Sequence, residues 1–272
     1  MDDLLQSLAP SRALLAAAKA QRRLDLAALA VAALEQPVEA QPVEAALSAL
    51  AARVREDGAA DGLGALVRVL GEQEGFRGDT ERYDAPENSS LPSVLERKRG
   101  LPILLSVLYV EVARRAGLQL HAVNFPGHVL VAAPGAGFPR VLDPFHAGRP
   151  LDRAACEALL EKMAPHLSFH LGLLEPADVE TLSARMLHNL RRHYLREKDI
   201  PRAVRVVTLL LELMPDHPAE LRMRASLLAA LGASRSALCD LERCLELHPD
   251  CPDRPAVERA AEELRQRVSR LN

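Results

Sequence analysis

The sequence contains no tryptophan, and aromatic residues make up only 3% of its 272 positions. A core with so few rings must be built mainly from alanine, leucine and valine, which predicts closely packed helices. Apolar runs are also short, since none approaches the roughly 18 residues of a membrane-spanning helix. The chain begins Met1-Asp2-Asp3, without the basic and apolar regions of a secretion signal. We therefore expect a cytoplasmic protein with no membrane partner.

The chain has little excess charge of either sign, with a net charge of −3 at pH 7. Proteins that bind nucleic acid usually carry a clustered basic surface. One basic stretch runs from Arg185 to Lys198, but exposed helix faces commonly carry such charges. The composition therefore predicts no nucleic-acid partner, and an anion contact through this stretch is the least favoured alternative.

Cysteine is scarce and comes late in the chain. The four cysteines are Cys156, Cys239, Cys244 and Cys251, and none belongs to a C-x-x-C pair. They match neither a zinc set nor a disulfide framework, so we expect them to behave as small apolar residues. No thiol is available in the first 155 residues.

The length and the motif pattern predict two domains, at 1–175 and 179–272. The first is expected to be α+β, with alanine- and leucine-rich helices and a small antiparallel sheet. Its apolar positions predict a buried helix from Pro102 to Ala116, closed by Gly117. Short strands are predicted after it, at His121–Phe125, His128–Ala133 and Arg140–Leu142.

The second region repeats itself. The residues Pro-Asp-His-Pro at 215–218 recur as Pro-Asp-Cys-Pro at 249–252, a shift of 34 positions. A helical period of 34 residues is typical of tetratricopeptide repeats, which predicts an all-α segment. Such helix pairs stack into a concave surface, so the expected partner is a protein or peptide bound by this segment.

Strand pairing predicts a contact between His128 and Asp143. If the hairpin turns about Ala136-Gly137, residue 130 pairs with residue 143, and His128 lies on the same face as Asp143. Diagonal neighbours of this kind are roughly 7 Å apart between backbones, within side-chain reach. The pair could belong to a functional pocket, or it could be a structural histidine beside a turn-forming aspartate.

The segment from Glu87 to Gly148 carries the most specific pattern. It contains ENSSLPSVLERKRGLPILLSVLYVEVARRAGL, then NFPGHVLV from Asn124 and LDPFHAG from Leu142. These motifs resemble the bacterial SirB family, in which a transglutaminase-like, papain-like domain precedes tetratricopeptide repeats. The resemblance also includes Tyr83 and covers nearly the whole chain.

The resemblance implies a triad of cysteine, histidine and aspartate. It places the histidine at His128 and the aspartate at Asp143, whereas the cysteine position falls on or beside Pro102. A thiol at a helix N-terminus is activated by the histidine that the carboxylate orients, but proline offers no nucleophile. The nearest hydroxyl, Ser106, lies one turn further along the helix.

Five polar residues are further pocket candidates. Ser106 and Glu111 lie on the predicted buried helix, where polar groups need partners, and we expect pocket-side hydrogen bonds. Asn88 and Ser89 could cap the helix that follows them or line the pocket. Asn124 could fix the loop that presents the histidine or simply form a turn.

The sequence thus favours a transglutaminase-like protein without its nucleophile, acting by binding a protein through its repeats. The alternative is a divergent hydrolase in which His128, oriented by Asp143, activates water. No cofactor and no metal site are expected. The sequence has no H-E-x-x-H motif, and predicted strands separate His121, His128 and His146.

Overall fold

The computed structural model of the chain describes residues 7–57, 61–250 and 253–270. The chain divides into two compact units, one formed by Ala13–Met186 and the other by Leu187–Asn272 together with Met1–Arg12. The predicted α+β class is confirmed, because a helix-rich region with a small antiparallel sheet precedes an all-helical segment.

The first region contains several helices. They are α1 (Ala9–Gln21), α2 (Leu24–Ala32), α3 (Ala40–Glu56), α4 (Gly62–Val67), α5 (Leu91–Arg97), α6 (Pro102–Ala116) and α7 (Arg153–Met163).

The central helix α6 has the predicted bounds. Leu101 precedes it in an extended conformation, Pro102 occupies its first turn, and Gly117 ends it with a φ of 80°. Proline suits the first turn because that N–H has no helical partner, and glycine suits the left-handed end. The side chains of α6 are buried almost all round, and the helix contacts α2, α3 and the sheet.

The four-stranded sheet is antiparallel, with its strands in sequence order. The strands are β3 (His121–Val123), β4 (Leu130–Ala133), β5 (Arg140–Asp143) and β6 (Arg149–Leu151), preceded in the chain by a separate short parallel pair, β1 (Arg77–Gly78) and β2 (Arg99–Gly100). Val131 pairs with Leu142 across the β4–β5 hairpin, which confirms the predicted register. The sequence pattern did not predict β1, β2 or β6.

Two short turns shape the ends of these elements. The helix α4 ends at Val67, after which Arg68–Gln73 forms a π-helical turn. The strand β5 runs into a 3-10 turn at Pro144–His146, and this turn directs the chain back into β6. The second of these turns is part of the site described below.

The second region contains the repeated helices. They are α8 (Val179–Arg196), α9 (Ile200–Leu213), α10 (Pro218–Ala230), α11 (Ser234–Leu247) and α12 (Arg254–Arg270). The starts of α9 and α11 differ by 34 positions, and Ala203 and Ala237, related by the same shift, are both fully buried. The predicted helical repeat is confirmed. Among the described helices, none is both long enough and apolar enough to cross a membrane.

Candidate functional site

His128 and Asp143 meet at one end of the β4–β5 hairpin. His128 lies in the loop just before β4, and Asp143 is the last residue of β5. The Nε2 atom of His128 is 2.9 Å from Oδ1 of Asp143, and both side chains are buried. The contact predicted from the register is therefore confirmed. Since the carboxylate contacts Nε2, Nδ1 is the ring nitrogen that faces away from this partner.

The Asp143 carboxylate also holds a second imidazole. The Nδ1 atom of His146 lies 2.7 Å from Oδ2, and the backbone N–H of Phe145 donates to Oδ1 at 3.0 Å. Burial alone would raise the pKa of Asp143, but the contacts with His128 and His146 outweigh burial and lower it. The carboxylate is therefore ionised near neutral pH and binds two rings at once.

The expectation that no metal-ligand residues cluster here is wrong. The ligand atoms of His128, Asp143 and His146 all lie within 4.8 Å of one another. The 3-10 turn after β5 carries His146 back to the carboxylate, and the sequence pattern did not reveal that turn. His121 is directed elsewhere, because its Nε2 contacts the carbonyl oxygen of Leu174 at 3.3 Å.

Aromatic side chains form one wall of this site. The ring centroid of Phe145 lies 5.9 Å from that of His128 and 6.0 Å from that of Tyr83, both in edge contacts. Gly78 permits this packing, because a Cβ atom there would lie 2.2 Å from the Phe145 ring. Tyr83, with 43% of its surface exposed, forms the outer part of the wall.

The N-terminus of α6 is where the resemblance implies a nucleophile. Pro102 is buried in the first turn of α6. The Ser106 hydroxyl, one turn later, is fully buried and donates to the carbonyl oxygen of Val129 at 3.3 Å. This bond joins α6 to the residue after His128 and is of the kind that we expected on the pocket side. The partner of the hydroxyl is a backbone carbonyl group.

None of the described cysteines is placed to replace it. Cys156 is buried on α7 in the apolar cluster that includes Phe125 and Leu130. Burial, with smaller contributions from Asp152 and Glu157, raises the pKa of the Cys156 thiol to about 11. In the second unit Cys239 is exposed and Cys244 is buried, while Cys251 lies outside the described residues.

Glu111 serves a different part of the first unit from the one we expected. Its carboxylate accepts the backbone N–H of Leu24 at 2.8 Å and bonds to Arg115 at 2.6 Å and Arg114 at 3.0 Å. It thus satisfies the N-terminus of α2 rather than bonding to His128. A charged cluster around Arg115 replaces the predicted pocket role of this residue.

Asn88 supports the loop that carries Tyr83. Its side-chain amide donates to the carbonyl oxygens of Arg82 at 2.7 Å and Tyr83 at 3.3 Å, and its Oδ1 accepts from Arg97 at 3.0 Å. The interpretation of Asn88 and Ser89 as caps is wrong, because Ser90 is the residue before α5 and makes no side-chain cap bond. Ser89 is buried beside Asn88.

Asn124 helps to hold the loop before the histidine. Its Oδ1 accepts from Arg185 at 2.5 Å, and the same guanidinium donates to the carbonyl oxygen of Phe125 at 3.0 Å. This arrangement favours the loop-fixing alternative over a simple turn. It also engages Arg185, one residue of the basic stretch, in a contact inside the first unit.

Two known protein families match successive parts of the chain. The transglutaminase-like superfamily matches residues 41–188, and a tetratricopeptide repeat family matches residues 190–265. The chain therefore belongs to the transglutaminase-like superfamily.

Its relatives include several bacterial proteins named UPF0162. It is 40% identical over 194 residues to the one from Xylella fastidiosa strain Temecula1, which covers 69% of this chain and 68% of the relative. The UPF0162 protein of Pseudomonas aeruginosa is 33% identical over 186 residues, or 68% and 67% of the two chains. That of Vibrio cholerae is 30% identical over 196 residues, 71% of each. No solved structure matches the chain.

Proposed function

We propose that this protein is a pseudoenzyme of the SirB type, which binds a protein or peptide through its helical repeats and performs no thiol chemistry. The observation that carries this proposal is the missing nucleophile beside an otherwise ordered histidine and aspartate. Thiol acyl transfer needs a sulfur within reach of His128, and the sequence has none before Cys156. The high pKa of the buried Cys156 thiol supports the same conclusion.

The binding role is supported by a groove in the repeat segment. The groove has a volume of about 460 Å³ and lies among α10, α11 and α12. Its apolar surface is made of small and aliphatic side chains, and its rim carries both signs of charge, with Arg222 and Arg267 beside Asp253 and Glu263. Such a surface suits an extended peptide or a helix with mixed charges.

We place this protein in the cytoplasm, with 1–175 and 179–272 as its two functional regions.

A pair of matched variants tests the groove. Ala256→Arg adds a long charged side chain at an exposed position inside the groove, and Ala230→Arg adds the same side chain at an exposed position outside it. We expect the full-length protein to retain a specific partner from lysate, Ala256→Arg to lose it, and Ala230→Arg to keep it. Retention of every partner by Ala256→Arg would refute the groove as the binding site.

The second candidate is a hydrolase in which His128 activates water. The 2.9 Å contact with Asp143 favours it, because such a carboxylate orients an imidazole and stabilises its protonated form. Hydrolysis of small ester and thioester substrates by the full chain, abolished by His128→Asn, would establish this candidate. Turnover that is the same in both proteins would exclude it.

A further inference from the structure

We propose that His128, Asp143 and His146 bind a divalent transition-metal ion. The three residues present two imidazole nitrogens and a carboxylate, and these atoms lie within 4.8 Å of one another. This site involves neither the repeat groove nor any thiol. It therefore stands or falls independently of the binding function proposed above.

The ligand chemistry selects the class of ion. Imidazole nitrogens bind zinc, cobalt, nickel and iron well, whereas magnesium and calcium prefer sites made only of oxygen. Three protein ligands, two of them from histidine, are typical of sites that keep a further position open for water or substrate. The set here contains no soft sulfur ligand, which favours ions of intermediate character such as Zn²⁺ and Co²⁺.

The two distances between imidazole and carboxylate are slightly shorter than such an ion requires. The ring nitrogens of His128 and His146 are 2.9 Å and 2.7 Å from the two carboxylate oxygens. Ligand atoms around a tetrahedral zinc are roughly 3.3 Å apart, given bonds of about 2.0–2.1 Å. The three ligand atoms, which lie within 4.8 Å of one another, must adjust to this spacing, and His146 has room to move because its side chain is 55% exposed.

Burial and charge favour a cation at these residues. His128 and Asp143 are buried, so their positions are fixed by the hairpin rather than by solvent. The Asp143 carboxylate accepts the Phe145 backbone N–H at 3.0 Å, which holds its plane in place. A carboxylate fixed between two imidazoles offers a cation more than any one of these groups alone.

A second observation comes from a buried hydroxyl close to the turn that carries His146. The Tyr109 hydroxyl is buried, and among the described residues it has no hydrogen-bond partner. It lies against Gly148, where an added Cβ would be 2.8 Å from the hydroxyl oxygen, two residues beyond His146. Burial and the nearby charge of Asp143 both raise the pKa of Tyr109, so this hydroxyl keeps its proton and remains a donor. Buried hydroxyl groups without a protein partner commonly bond to a water molecule or a small ligand.

The experiment is a cobalt titration of the full-length protein, freed of any histidine tag and treated with a chelator. The matched variants are His146→Ala and His166→Ala, both at exposed positions, with only the first in the cluster. We expect the wild type and His166→Ala to bind about one equivalent of Co²⁺, with visible absorption bands that Zn²⁺ displaces. We expect His146→Ala, with an unchanged thermal melt, to bind at least about 10-fold more weakly.

Three outcomes would overturn the proposal. The first is wild-type protein that binds no stoichiometric Co²⁺ or Zn²⁺. The second is His146→Ala that binds as tightly as the wild type, which would place the ion on other groups such as the exposed Cys239. The third is an equal loss in His146→Ala and His166→Ala, which would indicate scattered binding at surface histidines.

Discussion

Replacing Arg115 by alanine should strongly destabilise the first unit. The Arg115 side chain, only 7% exposed, bonds to Asp25, Glu44 and Glu111, each at 2.6 Å. Asp25 and Glu111 are themselves 2% and 1% exposed. Removing the guanidinium therefore leaves two buried carboxylates close together, one of them bonded to Arg23.

The magnitude follows from the cost of removing one partner from buried charged groups. Removing one partner of a buried ion pair costs about 3–5 kcal/mol. For a unit of this size each kcal/mol lowers the melting temperature by about 2–4 °C, so Arg115→Ala should melt about 6–20 °C below the wild type. The control is Arg114→Ala, whose side chain is 47% exposed and bonds to Glu111 alone. Exposed pairs contribute less than about 1 kcal/mol, so this variant should melt within a few degrees of the wild type.

The loss of stability in Arg115→Ala should also depend on pH. Burial would raise the pKa of Asp25, but bonds from Arg23 and Arg115 lower it in the folded protein. A lowered pKa stabilises the fold above the unfolded value of about 3.9, and this contribution disappears as the pH falls through the folded pKa. Without Arg115 the pKa of Asp25 is higher, so as the pH falls Asp25 takes up its proton in the variant before it does so in the wild type. The difference in unfolding free energy, measured by urea denaturation, should be largest at pH 7 and narrow towards pH 4.

An equal loss of stability in Arg115→Ala and Arg114→Ala would refute this reasoning. So would a difference between wild type and Arg115→Ala that stays constant from pH 7 to pH 4, because it would show that packing rather than buried charge is lost.

The remaining predictions concern the thiols and two glycines. Native protein at pH 8 should react with a thiol reagent at Cys239 at least about 100-fold faster than at Cys156, which is buried and has a pKa of about 11. Mass spectrometry of the modified peptides measures the two rates. A fast reaction at Cys156 would contradict its exclusion as a nucleophile. Gly148→Ala should cost more than Gly137→Ala in urea denaturation. Both have positive φ, worth about 1–2 kcal/mol, but only the first brings a Cβ within 2.8 Å of the Tyr109 hydroxyl; equal shifts of the two midpoints would show that this close contact relaxes freely.

The central helix and the hairpin could be predicted because local chemistry specifies both. Pro102 and Gly117 mark the ends of α6, and apolar residues fill nearly its whole circumference. The loop at 134–139, rich in glycine and proline, fixes where β4 turns into β5 and therefore which residues face each other. This register brings Asp143, at the end of β5, beside the start of β4, and His128 in the preceding loop reaches it.

The features that sequence reasoning missed depend on short or distant contacts. The strands β1, β2 and β6 have two or three residues each, too few for an alternating pattern to be recognised. His146 joins the site through a single 3-10 turn, whose signal was only the Asp-Pro pair at 143–144. Glu111 bonds to Leu24, which lies 87 positions earlier, and no local pattern indicates such a partner.

The site residues between 128 and 146 lie in one hairpin and the turn that follows it. Isolated hairpins of this kind form within about 1–10 μs, whereas contacts between distant helices wait for slower chain closure. The two imidazoles and their shared carboxylate can therefore come together early in folding. Tyr83, which comes from a remote part of the chain, packs against Phe145 later. In a pulsed amide-exchange experiment, protection in β4 and β5 would then precede protection around residue 83.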